Sequence, residues 1–121
     1  MNFIKADINE VAFSPAKAIG ENWAILTGCD GDSFNSMTVS WGAAGVLWGR
    51  PCVLVFVRPS RYTYEFMEKG DRFSLSLRPE GLHQKVAAFG SKSGRDCDKY
   101  SLSGAALGEE DGVKFCAEAE T

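Results

Sequence analysis

Apolar residues in this chain recur mostly at every second position, in short runs broken by glycine. From Phe34 to Trp41 one side carries Phe34, Ser36, Thr38 and Ser40, and the other carries Asn35, Met37, Val39 and Trp41, which is the period of a β-strand. Phe73, Leu75 and Leu77 alternate with Ser74 and Ser76, and Val113, Phe115, Ala117 and Ala119 alternate with Lys114, Cys116, Glu118 and Glu120, so each run predicts a half-buried strand. Two runs are apolar without alternation. Trp23 to Thr27 predicts a strand apolar on both faces apart from Thr27, and Cys52 to Arg58, β-branched and aromatic-rich, predicts a buried strand. Asp30-Gly31 is a hairpin signal, which Asp32-Ser33 extends, whereas Gly42, Gly45 and Gly49 punctuate a predicted bend carrying Val46, Leu47 and Trp48.

Helical signals are fewer and shorter. Ser14 can cap a helix through Ile19, with Pro15 at its first position and Gly20 at its end. Pro59 and Ser60 open a second, running to about Lys69 and stopped by Gly70. Pro79-Glu80 begins a third, with Leu82, Val86 and Phe89 near helical spacing and Gly90 as terminator. A loop is expected from Ser91 to Asp98, then a helical turn to Ser103 and a Gly-rich, acidic connector in which Glu109-Glu110-Asp111 is a solvated turn. There is no repeating β-α-β alternation, and the glycines follow neither the dinucleotide fingerprint nor the Walker spacing. The expected fold is mainly β with short helices, a small antiparallel barrel formed as a single domain over residues 1–121.

Composition narrows the function classes. Hydrophobic residues make up 45% of 121, which is a folded chain, and the net charge of -3 argues against a general nucleic-acid binder. The charge is unevenly spread: residues 58–99 carry nine basic and six acidic side chains, net +3, while residues 1–57 are net -2 and residues 100–121 net -4. The four cysteines, Cys29, Cys52, Cys97 and Cys116, are widely spaced and His83 is the one histidine, so no zinc site is expected. Asp7 and Glu10 come early with no apolar core of a leader after them, and the longest strictly apolar run, Cys52 to Val57, is too short to span a bilayer. We therefore expect a cytoplasmic protein with free thiols and no membrane partner.

The candidate chemistry lies in the basic stretch and the strand before it. Arg58 and Arg61 flank a proline-fixed turn, and a guanidinium fork matches phosphate oxygens. If Ser60 to Thr63 begins a helix, its unpaired backbone N–H groups and the two hydroxyls add to an anion grip. The same residues also suit a plain capped helix with two solvated arginines, and residue types alone do not choose. Gly90-Ser91-Lys92-Ser93-Gly94-Arg95-Asp96 has the composition of an anion-binding nest, and of an ordinary surface loop. Asn35, Ser36, Thr38 and Ser40 can offer hydrogen bonds to the edge of a heterocycle. Trp41 and Trp48 can wall it, although for Trp41 a place in the core is the expectation. No Gly-x-Ser-x-Gly elbow or second histidine supports nucleophilic hydrolysis. Anion grips beside a flat platform, with no acid/base set, suit a protein whose cofactor carries the chemistry.

Three segments taken in order, Asn35-Ser36-Met37-Thr38-Val39-Ser40-Trp41-Gly42, then Arg58-Pro59-Ser60-Arg61-Tyr62-Thr63, then Gly90 to Asp96, resemble the flavin reductase-like family, which has the FMN-binding split-barrel fold and includes flavoredoxins. The resemblance covers roughly Ile19 to Lys99. It implies FMN bound non-covalently near the interface of a homodimer. It implies that the Asn35–Trp41 strand lies along the ring with Met37, Thr38, Val39 and Ser40 nearest, and that Arg58, Arg61, Tyr62 and Thr63 help hold the phosphate. Ser91, Lys92, Ser93 and Arg95 would approach the cofactor too. Electrons would pass from a nicotinamide, NADH or NADPH, or from a redox-protein partner to an acceptor, with no side chain acting as a covalent catalyst. The alternatives are a non-catalytic FMN-binding electron carrier and a scaffold that has lost flavin. Family members continue well past Thr121, so the resemblance also implies a truncation or a barrel completed in trans.

Overall fold

A computed structural model of the chain describes residues 4–77, 93–95, 98, 100 and 106–117. Its centre is β1 (Ala24–Asp30), buried at every position but the last. β1 is flanked on both sides by antiparallel partners, β2 (Ser33–Val39) and β5 (Arg72–Leu77), in the order β2-β1-β5. A strand in this position has no solvent edge and no solvent face, which is why its sequence reads apolar on both sides.

The register sorts the side chains into two layers. Leu26 lies between Met37 and Leu75, and Ala24 between Val39 and Leu77. These residues pack with Ile19, Phe13, Val55, Val57 and Met67 into the main core. On the other face Ile25 and Cys116 pack with Trp23 and Tyr100. That face also carries polar pairs: Thr27 shares a hydrogen bond with Ser36 at 2.7 Å, and Ser36 shares another with the Tyr100 hydroxyl at 2.8 Å. The hairpin of β6 (Leu107–Glu110) and β7 (Val113–Cys116) lies over this second face. It is tied down where Ser74 Oγ donates to the Lys114 carbonyl at 2.7 Å and Arg72 Nη1 to the Asp111 carbonyl at 2.9 Å.

Several sequence expectations need correction. The Gly42–Gly49 bend is a strand, β3 (Gly42–Leu47), paired with β4 (Arg50–Val55) as a separate two-stranded sheet. β4 is not buried: Leu54 is 49% exposed and the following Phe56 61% exposed. The acidic connector is likewise half of a hairpin, β6–β7. The early helix is a π-helix over Ala16–Glu21, which runs through Gly20 instead of ending there. The second helix, α1, spans Thr63–Lys69, so Pro59 to Tyr62 form a turn leading into it. The Pro79 helix with His83, and the loop at Ser91 and Lys92, lie outside the described residues. Among the described residues no helix is long and apolar enough to cross a membrane.

α1 packs on β1 through Gly28, where a Cβ would come within 3.1 Å of Met67 Sδ and 3.2 Å of Phe66 Cβ. The glycine lets the helix seat closely against the strand, and this sets where the turn before α1 faces.

Candidate functional site

Two segments from different sheets meet at one cleft. The end of β2 and the residues after it, Met37 to Trp41, form one wall, and Phe56, Arg58 and Arg61 form the other. The cleft is shallow and open on one side, with room for about 80 Å³, less than the ~300–1,000 Å³ of enclosed small-molecule sites. Met37 and Val39 have their side chains in the main core, and among the described strands β2 stands at the edge of its sheet. What these two can present to the cleft is therefore the main-chain edge of β2, a row of alternating donors and acceptors. Ser40 and Trp41 follow the strand and are exposed, Trp41 at 62%.

Trp41 is thus not a core residue. The alternation that grouped it with Met37 and Val39 stops counting once β2 ends at Val39. Its ring lies under Arg58, with the guanidinium carbon 5.9 Å from the ring centre.

The electrostatics of the cleft favour an anion. The Arg61 guanidinium has its proton affinity lowered, first by burial and then by the neighbouring charge of Arg58. Two cations held together in a partly dry cleft lose hydration and repel one another, a cost that a bound anion offsets. Of the backbone donors expected at residues 60–63, that of Arg61 is engaged within the turn. The Arg61 N–H donates to the Arg58 carbonyl at 3.0 Å, Tyr64 N–H to Arg61 at 3.1 Å and Glu65 N–H to Tyr62 at 3.1 Å.

The remaining predicted residues form a layer behind the cleft. Asn35 Nδ2 donates to Thr63 Oγ1 at 2.7 Å, and Thr63 is fully buried. Tyr62 stacks edge-on against Phe66, ring centres 5.1 Å apart. Arg95 lies with its guanidinium carbon 4.6 Å above the Tyr62 ring and its Nη2 2.7 Å from Glu65 Oε1. Ser93 Oγ accepts from the Arg95 N–H at 3.2 Å. So the described part of the 90–96 loop does meet the Arg58–Thr63 turn, on the side of Tyr62 and Glu65. Phe56 is the lining residue that sequence reasoning missed. The signal was present, because Phe56 stands two positions before Arg58 and so falls on the same side of an extended segment.

A family model described as the flavin reductase like domain matches residues 17–120. The chain belongs to the flavin reductase-like family.

Solved structures agree on the fold. An FMN-binding domain of a flavin reductases-like enzyme from Shewanella baltica OS155 is 23% identical, with a TM-score of 0.72, covering 90% of this chain and 60% of that one. The flavoredoxin of Desulfovibrio vulgaris (Miyazaki F) is 22% identical with a TM-score of 0.70, covering 95% and 62%. An FMN-binding protein from Thermus thermophilus is 24% identical with a TM-score of 0.70, covering 98% and 64%. The chain therefore spans a little over three fifths of the length of these relatives. A comparison with curated protein sequences finds no match. Together with the strand topology the likeness shows the fold, an antiparallel split β-barrel with short helices, as the sequence leads one to expect.

Proposed function

We propose that this flavin reductase-like chain binds FMN in the cleft between β2 and the Arg58–Arg61 turn, and serves an oxidoreductase in the cytoplasm. The observation that carries the reading is the convergence of Arg58 and Arg61 on one cleft beside the end of β2 and an exposed tryptophan. Each part of FMN has a counterpart there. The two guanidinium groups suit the phosphate, the main-chain edge at residues 37–41 suits the polar rim of the ring, and Trp41 and Phe56 supply apolar surface for its faces. The relatives from Shewanella baltica and Thermus thermophilus are described as FMN-binding, which supports the same assignment.

When bound, FMN supplies the redox chemistry. The chain's own residues bind and orient it: the arginines neutralise the phosphate, and the edge of β2 fixes which rim of the ring faces the protein. In this reading no side chain acts as a covalent catalyst. The electron donor in this reading is a nicotinamide or a redox protein. Two copies of the chain pair, with the exposed β3–β4 hairpin as the contact.

The test is a pair of fluorescence titrations, with FMN and with riboflavin, on the wild-type chain and on Arg61→Ala. A lost charge-assisted hydrogen bond is worth ~1.5–3 kcal/mol, so FMN should weaken by about ten- to a hundredfold while riboflavin changes little. Equal losses for both flavins, or no FMN binding by the wild-type chain, would overturn the assignment. Anaerobic addition of NADH or NADPH to the loaded protein then separates an enzyme, whose visible band bleaches, from an electron carrier, whose band persists.

A further inference from the structure

Arg95 has the residue type of a phosphate ligand but is differently employed. It does not line the cleft that Arg58 and Arg61 line. Its charge is met by Glu65 at 2.7 Å, with both side chains about half exposed, and its guanidinium plane covers Tyr62. The chain next to it is closely fitted. A Cβ on Gly94 would overlap the Asn35 amide oxygen and come within 3.0 Å of Tyr62 Cδ2. Asn35 in turn holds Thr63, and Phe66 supports Tyr62 from below. Tyr62 and Thr63, the two residues following Arg61, are thus gripped by three separate segments: β2, α1 and residues 93–95.

We infer that Arg95 is a positioning residue and not a phosphate ligand: paired with Glu65 across Tyr62, it clasps the turn that presents Arg61 to the cleft. The inference rests on the FMN reading above, and it assigns Glu65 a role that its exposed place on α1 would not suggest. The physical basis is entropic. An arginine on a free turn must be ordered when the anion arrives, whereas a clasped turn is ordered beforehand and keeps that part of the binding energy.

The sign of one substitution decides between clasp and ligand. If Arg95 is a clasp, Glu65→Gln loosens Tyr62 and weakens FMN, and Arg95→Gln does the same. Each loss should be about three- to tenfold, the size that an exposed ion pair and a cation–π contact together allow. The double variant should lose no more than Arg95→Gln alone, because that substitution already removes the ion pair with Glu65 as well as the contact with Tyr62. Riboflavin affinity should move less than FMN affinity, which a general loosening of the fold would not produce. Arg95→Lys, which keeps the charge, should retain more FMN affinity than Arg95→Gln. Thermal melts of each variant establish that the fold persists. If instead Glu65→Gln tightens FMN or leaves it unchanged, Arg95 was being withheld from the phosphate and the inference is overturned while FMN binding stands. Equal losses for the two flavins would overturn it as well. A wild-type chain that binds no FMN sinks both this inference and the assignment beneath it.

Discussion

Tyr100 ends a line of three hydroxyls, Thr27, Ser36 and Tyr100, that spans from the central strand to a segment about 70 residues further on. Burial pushes its phenol up to about 12, and the hydrogen bonds from Ser36 and Thr27 only partly oppose that shift. The folded chain thus keeps the proton to a higher pH than the unfolded chain, whose tyrosine titrates near 10. Between those values the unfolded state binds fewer protons, so stability is fully present below about pH 10 and falls as pH rises toward 12. At ~1.36 kcal/mol per pH unit the loss is roughly 2–3 kcal/mol. Urea unfolding from pH 9 to pH 12 should show this decline. Tyr100→Phe should flatten it while lowering stability at pH 8, since Ser36 then loses a buried partner. Single residues also mark the limit of what could be read from sequence. That Arg58 and Arg61 would stand together was legible because charge and a fixed turn are adjacent in the chain, and both line the cleft. The hydrogen bond from Asn35 to Thr63 was not, because the two lie 28 positions apart and nothing in either segment points to the other.

The elements divide in the same way. β2 and β5 were legible because their main-core face is apolar at every second position, and β1 because it is packed on both faces. β3 was not, because Gly42-Ala43-Ala44-Gly45 has neither alternation nor β-propensity, and only pairing with β4 makes it a strand. The pairing depends on glycine at Gly42, where a Cβ would lie 2.6 Å from the Leu54 carbonyl oxygen. The Asp111-Gly112 turn of β6–β7 was a readable hairpin signal, set in acidic residues that made it look like a solvated loop. The β3–β4 turn is stranger. Trp48 and Gly49 take φ of +52° and +71°, the pattern of a type I′ turn, but a tryptophan carries a steric cost there that asparagine largely avoids. Trp48→Asn should therefore stabilise the isolated chain by ~0.5–1 kcal/mol, a rise of a few degrees in melting temperature for a chain of this size. The melt belongs at the lowest workable protein concentration, where contacts between copies do not contribute. A fall in melting temperature there would mean that the Trp48 ring supports the hairpin by packing within its own chain.

At the scale of the whole molecule, the β3–β4 hairpin carries the most exposed large apolar side chains among the described residues of the sheets. A two-stranded sheet is marginal in water by itself, and this one is apolar on both sides: from Gly42 to Val55 its only charged residue is Arg50. Val46 is 73% exposed and Trp48 91%, with Leu47 and Leu54 about half exposed. Contiguous apolar surface of this kind marks an interaction face. The cleft adjoins it directly, since Trp41 stands just before β3 and Phe56 just after β4, so a second copy seated on the hairpin would also cover the open side of the cleft. Leu47 and Leu54 point to the same side of the hairpin and neither lines the cleft, so they separate pairing from flavin contact. Glutamate at both positions places two charges in an apolar interface, each costing several kcal/mol if buried unpaired, enough to dissociate a micromolar dimer. Sedimentation velocity should show the wild-type chain as a dimer and Leu47→Glu/Leu54→Glu as a monomer of unchanged circular dichroism. FMN affinity should fall with dissociation, because the cleft is then left open to water. A wild-type chain that stays monomeric at tens of micromolar, or a double variant that remains dimeric, would mean that the hairpin is covered in some other way.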